Sequence, residues 1–287
     1  MQRPHSIRTR LIWLIAVSVL PLLALSGWLA ASRAEAERQG IEARRFDLVN
    51  NLTFLIEREI SHIEGVLLGL STSPELGSGD FATFRRQAET VVASAELGVI
   101  AVLDKTGQQL VSTDLADGQP LPKRDDLTPI QAAFDGQNVV SQLTEGTASK
   151  RPVILITIPV RRDGQIVYAL SAGLFPERLT KLFAEAGIPV NWTSAVVDRN
   201  GRFIARNLNP QQYIGKLARP ELGRAAIGIA NVGEFDNVNL EGIKTANSFR
   251  RSTITGWTSV VSVPKSVLNA PLYRTTTIFL LGAGALS

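Results

Sequence analysis

The sequence predicts an α+β protein in which a long N-terminal helix precedes two tandem modules, each built on an antiparallel sheet. Three observations predict it. The first is a duplication: IAVLDKTGQQLV at Ile100–Val111 returns as SAVVDRNGRFIA at Ser194–Ala205. Each copy joins two β-prone runs through Asp, a basic residue, a polar residue and Gly, the composition of a tight hairpin connection. The second is that the order of elements repeats as well. Arg161–Leu179 (RRDGQIVYALSAGLFPERL) and Phe249–Leu268 (FRRSTITGWTSVVSVPKSVL) each give two strands and then a Pro that opens a helix. A long repeat seen twice points to two similar modules rather than a solenoid. The third is an uncharged run at Leu11–Ala31, followed by a Pro-free segment with helical spacing.

In chain order, Met1–Arg10 is a polar tip carrying Arg3, Arg8 and Arg10. Leu11–Ala31 is long enough to cross a hydrocarbon core, which takes ~20 apolar residues, and Trp13 and Trp28 lie near its ends, where indoles favour the interface. The basic tip places the N-terminus in the cytoplasm and the following residues, 32–270, outside. A cleavage site at Ala34-Glu35-Ala36 is the alternative, but the apolar run exceeds the ~7–15 residues of a signal peptide, which favours a retained anchor.

Ser32–Ser73 is expected to be a stalk helix. Leu48, Leu52, Ile56, Ile60, Ile63, Leu67 and Leu70 step by three or four and form one apolar stripe. Pro74 and Gly77–Asp80 end it, and Asp80 is placed to cap a helix at Phe81–Ser94. The first module, 74–187, is expected to hold strands at Val99–Leu103, Gln109–Thr113, Val139–Leu143, Val153–Val160 and Ile166–Gly173, with helices at Thr128–Asp135 and Pro176–Ala186. The second, 188–268, holds the hairpin Ala195–Arg206, a loop with Pro210 and Gly215, helix Pro220–Ile227 and strands near Gly233–Val238, Ile243–Arg250 and Trp257–Val263. The apolar segment 274–287 reads as the start of a second membrane helix, so any cytoplasmic output is expected beyond Ser287.

Composition narrows the function. Net charge is +4 without a basic block, which argues against nucleic acid as partner. The absence of Cys removes thiol chemistry and Cys-based metal sites, and the two His, His5 and His62, lie outside the modules. No nucleophile–base pair, metal cluster or cofactor motif is present. Asp104 and Asp198 read as turn residues, Gly146–Pro152 (GTASKRP) lacks phosphate-loop spacing, and Trp257 reads as a core aromatic.

An anchor, a stalk, two kindred modules and a returning apolar segment together resemble the double-Cache extracytoplasmic sensor region of bacterial receptors, whose modules are PAS-like. The stretches that carry this are Leu70–Phe84, Val102–Pro122, Ile158–Leu179, Val196–Asn207 and Thr255–Pro264. They look most like the input regions of membrane histidine kinases of the HWE/HisKA_2 type. Chemoreceptors and diguanylate cyclases share such regions, and an anchored binding protein without an output domain is a further alternative. The resemblance implies ligand sensing by the membrane-distal module, relay down the stalk, a bacterial inner-membrane location and a homodimer through parallel stalks. An amino-acid-sensing subgroup carries an Arg-x-Trp-Tyr-type motif and an Asp at the end of the last distal strand. This chain has FATFRRQAETVV and Gly173 at those places, so the resemblance does not extend to that motif.

A ligand site is expected between the distal sheet and the segments that cross it. Ser112, Thr113 and Asp114 at a strand end, Lys150 and Arg151 before the next strand, and Tyr168 are the polar side chains best placed. The Lys150-Arg151 pair gives a preference for an anionic ligand such as a small carboxylate.

Overall fold

The computed structural model describes residues 7–116 and 118–271; residues 1–6 of the tip and the expected returning helix at 274–287 lie outside them. One helix, α1 (Ile7–Ser71), runs unbroken for 65 residues through the apolar run and the stalk, with Pro21 inside it. At 1.5 Å per residue it is about 100 Å long. The anchor and stalk therefore form a single rod. Pro74 does not simply end it: Pro tolerates the first turn of a helix, where its missing N–H is not needed, and Pro74–Ser78 forms a one-turn α2. In α3 (Phe81–Ser94), the Asp80 carboxylate accepts from the Thr83 amide at 3.1 Å, as a cap should.

The first sheet comprises β1 (Val99–Leu103), β2 (Gln109–Ser112), β3 (Val139–Val140), β5 (Pro152–Arg162) and β6 (Gln165–Leu174), in the order β2-β1-β6-β5-β3, with β4 (Thr144–Glu145) pairing further along β5. Helix α4 (Thr128–Phe134) lies in the crossover and α5 (Pro176–Glu185) leaves the sheet. The second sheet comprises β7 (Thr193–Val197), β8 (Phe203–Arg206), β9 (Val232–Val238), β10 (Lys244–Arg251) and β11 (Thr258–Pro264), in the order β8-β7-β11-β10-β9. The two orders are the same circuit and every pairing is antiparallel. Helices α6 (Pro210–Tyr213) and α7 (Pro220–Ile227) cross the second sheet, and α8 (Lys265–Leu268) follows it.

The duplicated hairpins match atom for atom in design. Asp104 Oδ1 accepts from the amides of Thr106 (2.8 Å) and Gln108 (3.1 Å); Asp198 Oδ1 accepts from those of Asn200 (2.9 Å) and Arg202 (2.8 Å). Gly107 and Gly201 take φ of +84° and +74°, a region where a Cβ is strained. Partial burial by itself raises the Asp104 pKa, but the hydrogen bonds from Thr106 and Gln108 outweigh it and hold the carboxyl below its usual value. Both aspartates are turn-builders.

The stalk stripe is spent within the chain. Leu52, Ile56, Ile60, Ile63 and Leu67 are buried against Ile154, Ile156, Ile158, Leu170 and Ala172 of the first sheet, together with Phe84 of α3. Lower on the rod, Leu48 and Val49 pack on Ala246, Val261 and Val263 of the second. Each such side chain removed from water contributes about 1.5–3 kcal/mol. Trp257, Val196 and Ile204 join the same cluster as Leu179, Leu182 and Phe183, so α5 seals one unit to the other. His62 is exposed on the rod.

Candidate functional site

Alternation in a strand sends successive side chains to opposite faces, so each sheet has a face on α1 and a far face. On the first sheet the far face is floored by a row set by the pairing register: Ser112 opposite Ala101, Ala101 opposite Ser171, Ser171 opposite Thr157. All four are buried, and the Thr157 and Ser171 hydroxyls share a 2.7 Å hydrogen bond. The next row toward the chain end of β6 contains Gly173, where an added Cβ would collide with Val99 and Val153. The floor is thus made of small residues and hydroxyls in a setting that otherwise favours Val, Ile and Leu.

What covers the floor is pinned at both ends. Ile130 and Ala133 of α4 pack over Ala101, Leu103 and Ala169. The segment 113–127 starts with Thr113, whose amide donates to the Ile100 carbonyl and whose hydroxyl accepts from the Ile100 amide (3.0 and 2.9 Å). Arg85 of α3 donates to the Leu115 carbonyl. The segment returns at Pro122 and Arg124, which bond Gln109 and Gly107 at the hairpin. On the other side, the Ser141 hydroxyl accepts from the Leu155 amide at 2.9 Å. That capture explains why the expected strand Val139–Leu143 pairs only at Val139–Val140 and resumes at β4: a side chain takes the place of a ladder bond.

The six residues singled out by sequence fall in three places. Ser112 is in the floor, with Thr113 tying its strand end and Asp114 exposed at the rim. Lys150 and Arg151 are at the same end of the sheet but just ahead of β5, a strand three spacings (~14 Å) from β2. Lys150 is an exposed turn residue with φ +54°. The Arg151 guanidinium stacks 4.1 Å over the Phe175 ring and pairs with Glu177 at 3.2 Å. It lines a cleft of about 370 Å³ where α5 meets α6, beside Thr180, Lys181 and Gln211. Tyr168 is at the opposite end of β6 and packs edge-on against Phe81, ring centroids 5.7 Å apart, on the α1 face. Thr157 and Ser171 escaped sequence reading. Their signal was a lone hydroxyl inside each of two apolar runs, VILITIPV and ALSAGL.

Among the described residues no group of three or more His, Asp or Glu could hold a metal ion. No protein-family model and no curated protein matches the sequence. Solved structures do match. The ligand-binding domain of the Campylobacter jejuni chemoreceptor Tlp3, in complex with L-valine, superposes with a TM-score of 0.60 at 16% identity, covering 84% of this chain and 97% of that one. The V. cholerae histidine kinase DctB sensor domain gives 0.54 at 13%, covering 81% and 98%. The chain has the double-Cache fold. The extracellular domain of rpHK1S-Z16 superposes equally well, with a TM-score of 0.58 at 15% identity and coverage of 84% and 98%. Sensor domains of a chemoreceptor and of a kinase are thus similar to this chain in fold.

Proposed function

We propose that the chain is the input region of a membrane receptor, binding a small molecule outside the cell on the far face of the first sheet and passing the change to α1. The single observation that carries this reading is the covered floor of Ser112, Ala101, Ser171 and Thr157, small and hydroxyl-bearing where a purely structural core would be filled with branched aliphatics. The anchor is supported by the apolar end of α1: Trp13, Val17, Leu22, Leu25 and Trp28 are 61–68% exposed. Such a surface is costly in water and at home in lipid. The described residues include one helix long and apolar enough to span a membrane, and it is this one. Residues 32–270 are accordingly extracytoplasmic, with 74–187 as the distal module and 188–268 as the proximal one. The output is a histidine kinase in our reading, with a chemoreceptor as the alternative, since both kinds of neighbour share the fold.

Tlp3 binds L-valine and the related domain Mlp24 binds asparagine. The floor here offers hydroxyls and no carboxylate, Asp114 being exposed at the rim, so we favour a small carboxylate over an amino acid, with Ser112, Thr157 and Ser171 as its donors.

We also propose that two copies pair along α1. The stripe Leu48–Leu70 is buried at home, so it is not the dimer seam. The opposite face is: Phe54, Arg58, Ser61, Gly65, Leu68 and Thr72 alternate by four and three and are all exposed, the spacing of a coiled-coil seam.

The test is a thermal-unfolding screen of the full chain in nanodiscs against small carboxylates and amino acids, repeated with Thr157→Val and Ser171→Ala. A compound that raises the melting temperature of the parent but of neither variant supports the site. A shift that survives both substitutions places binding elsewhere.

A further inference from the structure

The far face of the second sheet is built differently. Where the first has hydroxyls, the second has a guanidinium. Arg206, at the end of β8, is 2% exposed and donates to both carboxylate oxygens of Glu241 at 2.8 and 2.7 Å. Its guanidinium lies 4.5 Å from the centre of the Tyr213 ring. Beneath it is a cavity of about 40 Å³, bordered by Arg219, Phe235, Asn237, Asn239 and Asn247. Asn239 is buried, and its Nδ2 has no hydrogen-bond partner among the described residues. A buried donor in that condition is costly; Asn247 Nδ2, by contrast, already donates to the Phe235 carbonyl at 2.9 Å, so Asn239 supplies the open donor among the amides that border the cavity.

Glu241 reaches Arg206 from the tip of the β9–β10 hairpin. Its turn is closed by Asn239 Oδ1, which accepts from the Glu241 and Ile243 amides, and by Gly242 at φ +80°. The guanidinium is the more deeply buried partner, and Glu241, 19% exposed, comes to it from a short turn.

We propose that this cavity is a second ligand site, for a short-chain monocarboxylate, and that Glu241 is a tethered occupant holding it shut. The incoming carboxylate takes the place of Glu241 on the Arg206 fork, for which a planar bidentate anion is the matched partner. Its tail enters the cavity, which has room for about three waters at ~10–15 Å³ each and so for two or three carbons. The displaced tip is continuous with β9, whose Glu234 accepts from Arg45 of α1 at 2.7 Å. Occupancy of the second sheet is thereby coupled to the rod, independently of the first sheet.

The experiment is calorimetric titration of the full chain in nanodiscs with sodium acetate and sodium propionate, using sodium chloride as blank and sodium hexanoate as the oversized probe. Because a closed latch lowers apparent affinity by the fraction of open molecules, Glu241→Gln is expected to bind acetate or propionate about tenfold more tightly than the parent, and hexanoate to bind neither. Arg206→Gln placed on the Glu241→Gln background, which removes the buried charge together with its partner, is expected to abolish binding while leaving cooperative unfolding. Equal affinity in the parent and Glu241→Gln overturns the latch. Binding that persists without Arg206, or hexanoate binding as well as acetate, overturns the site. Thr157→Val leaves these titrations unchanged if the two sites are separate, so failure here and failure of the first-sheet reading are told apart.

Discussion

Arg45 and Glu234 form one ion pair, yet their removal should not cost the same. The Arg45 side chain is 3% exposed and donates to Ser248 Oγ at 2.8 Å and to Glu234 Oε1 at 2.7 Å. Glu234 is 58% exposed. Glu234→Ala leaves a guanidinium in the interface between α1 and β10 without its carboxylate, and the loss of a charged hydrogen bond at a buried donor is about 1.5–3 kcal/mol. Arg45→Met removes the buried charge itself, keeps an apolar stem of similar reach, and returns a carboxylate to water that already bathes it. Replacing a buried charge by a well-packed hydrophobe is often close to neutral, so a cost below about 1 kcal/mol is expected. With ~2–4 °C per kcal/mol for a folded region of this size, Glu234→Ala should lower the melting temperature by about 3–12 °C and Arg45→Met by no more than about 4 °C. Intrinsic fluorescence follows the transition through buried Trp192 and Trp257. The double variant should melt with Arg45→Met, not below Glu234→Ala. If Arg45→Met is the more damaging of the two, the assignment of the cost to an unpaired buried cation is wrong.

Three further outcomes are expected. Gly107→Ala should destabilise more than Gly201→Ala by denaturant titration: both residues have positive φ, worth about 1–3 kcal/mol to a residue with a Cβ, but at 107 the new methyl also overlaps Leu127 and comes within 3.3 Å of the Arg124 carbonyl, while at 201 the nearest atom is 3.6 Å away; equal losses would remove the steric part of the argument. Glu64 sits in a cleft with Arg161 and Arg162, and burial raises its pKa above 4.5, partly offset by a hydrogen bond with Asn138. Its contribution is therefore present below 4.5 and lost as pH rises through the raised folded value, so Glu64→Gln should raise the melting temperature at pH 7 and leave it unchanged at pH 4, and an offset of the same size at both pH values would refute the burial account. Leu68→Arg should shift the chain from dimer to monomer in sedimentation velocity while moving the unfolding free energy by no more than about 0.5 kcal/mol, as an exposed site should; an unchanged dimer would relocate the seam.

The fold was legible in the sequence to the extent that its causes are local or repeated. The Asp-Gly hairpins, the Asp80 cap and the α1 stripe each depend on residues within a turn or two of one another, and the duplication carried the sheet circuit with it. The one-turn α2 and α6 were read as a helix terminus and a loop, because four or five residues opening on Pro carry no period to detect. The split of the third strand depended on a hydroxyl meeting an amide fourteen positions away. The candidate site divides the same way. Ser112 to Asp114 could be placed because a strand end is a local event, whereas Thr157 and Ser171 face each other only through a register that the sequence does not print. Arg151 and Tyr168 were plausible by residue type, but stacking on Phe175 and Phe81 turns them to other surfaces. Arg206 and Glu241 looked like two charges among many until folding buried one of them.

The division of α1 between the two sheets limits how this molecule can be cut. Leu48 and Val49 belong to the second sheet although they precede the first in the chain. A fragment beginning at residue 188 would present Ala246, Val261 and Val263 bare to solvent, and supplying residues 41–50 as a separate peptide should be what restores it. Covalent order and physical ownership part company here, so the proximal half is a discontinuous object whose smallest foldable piece includes the rod.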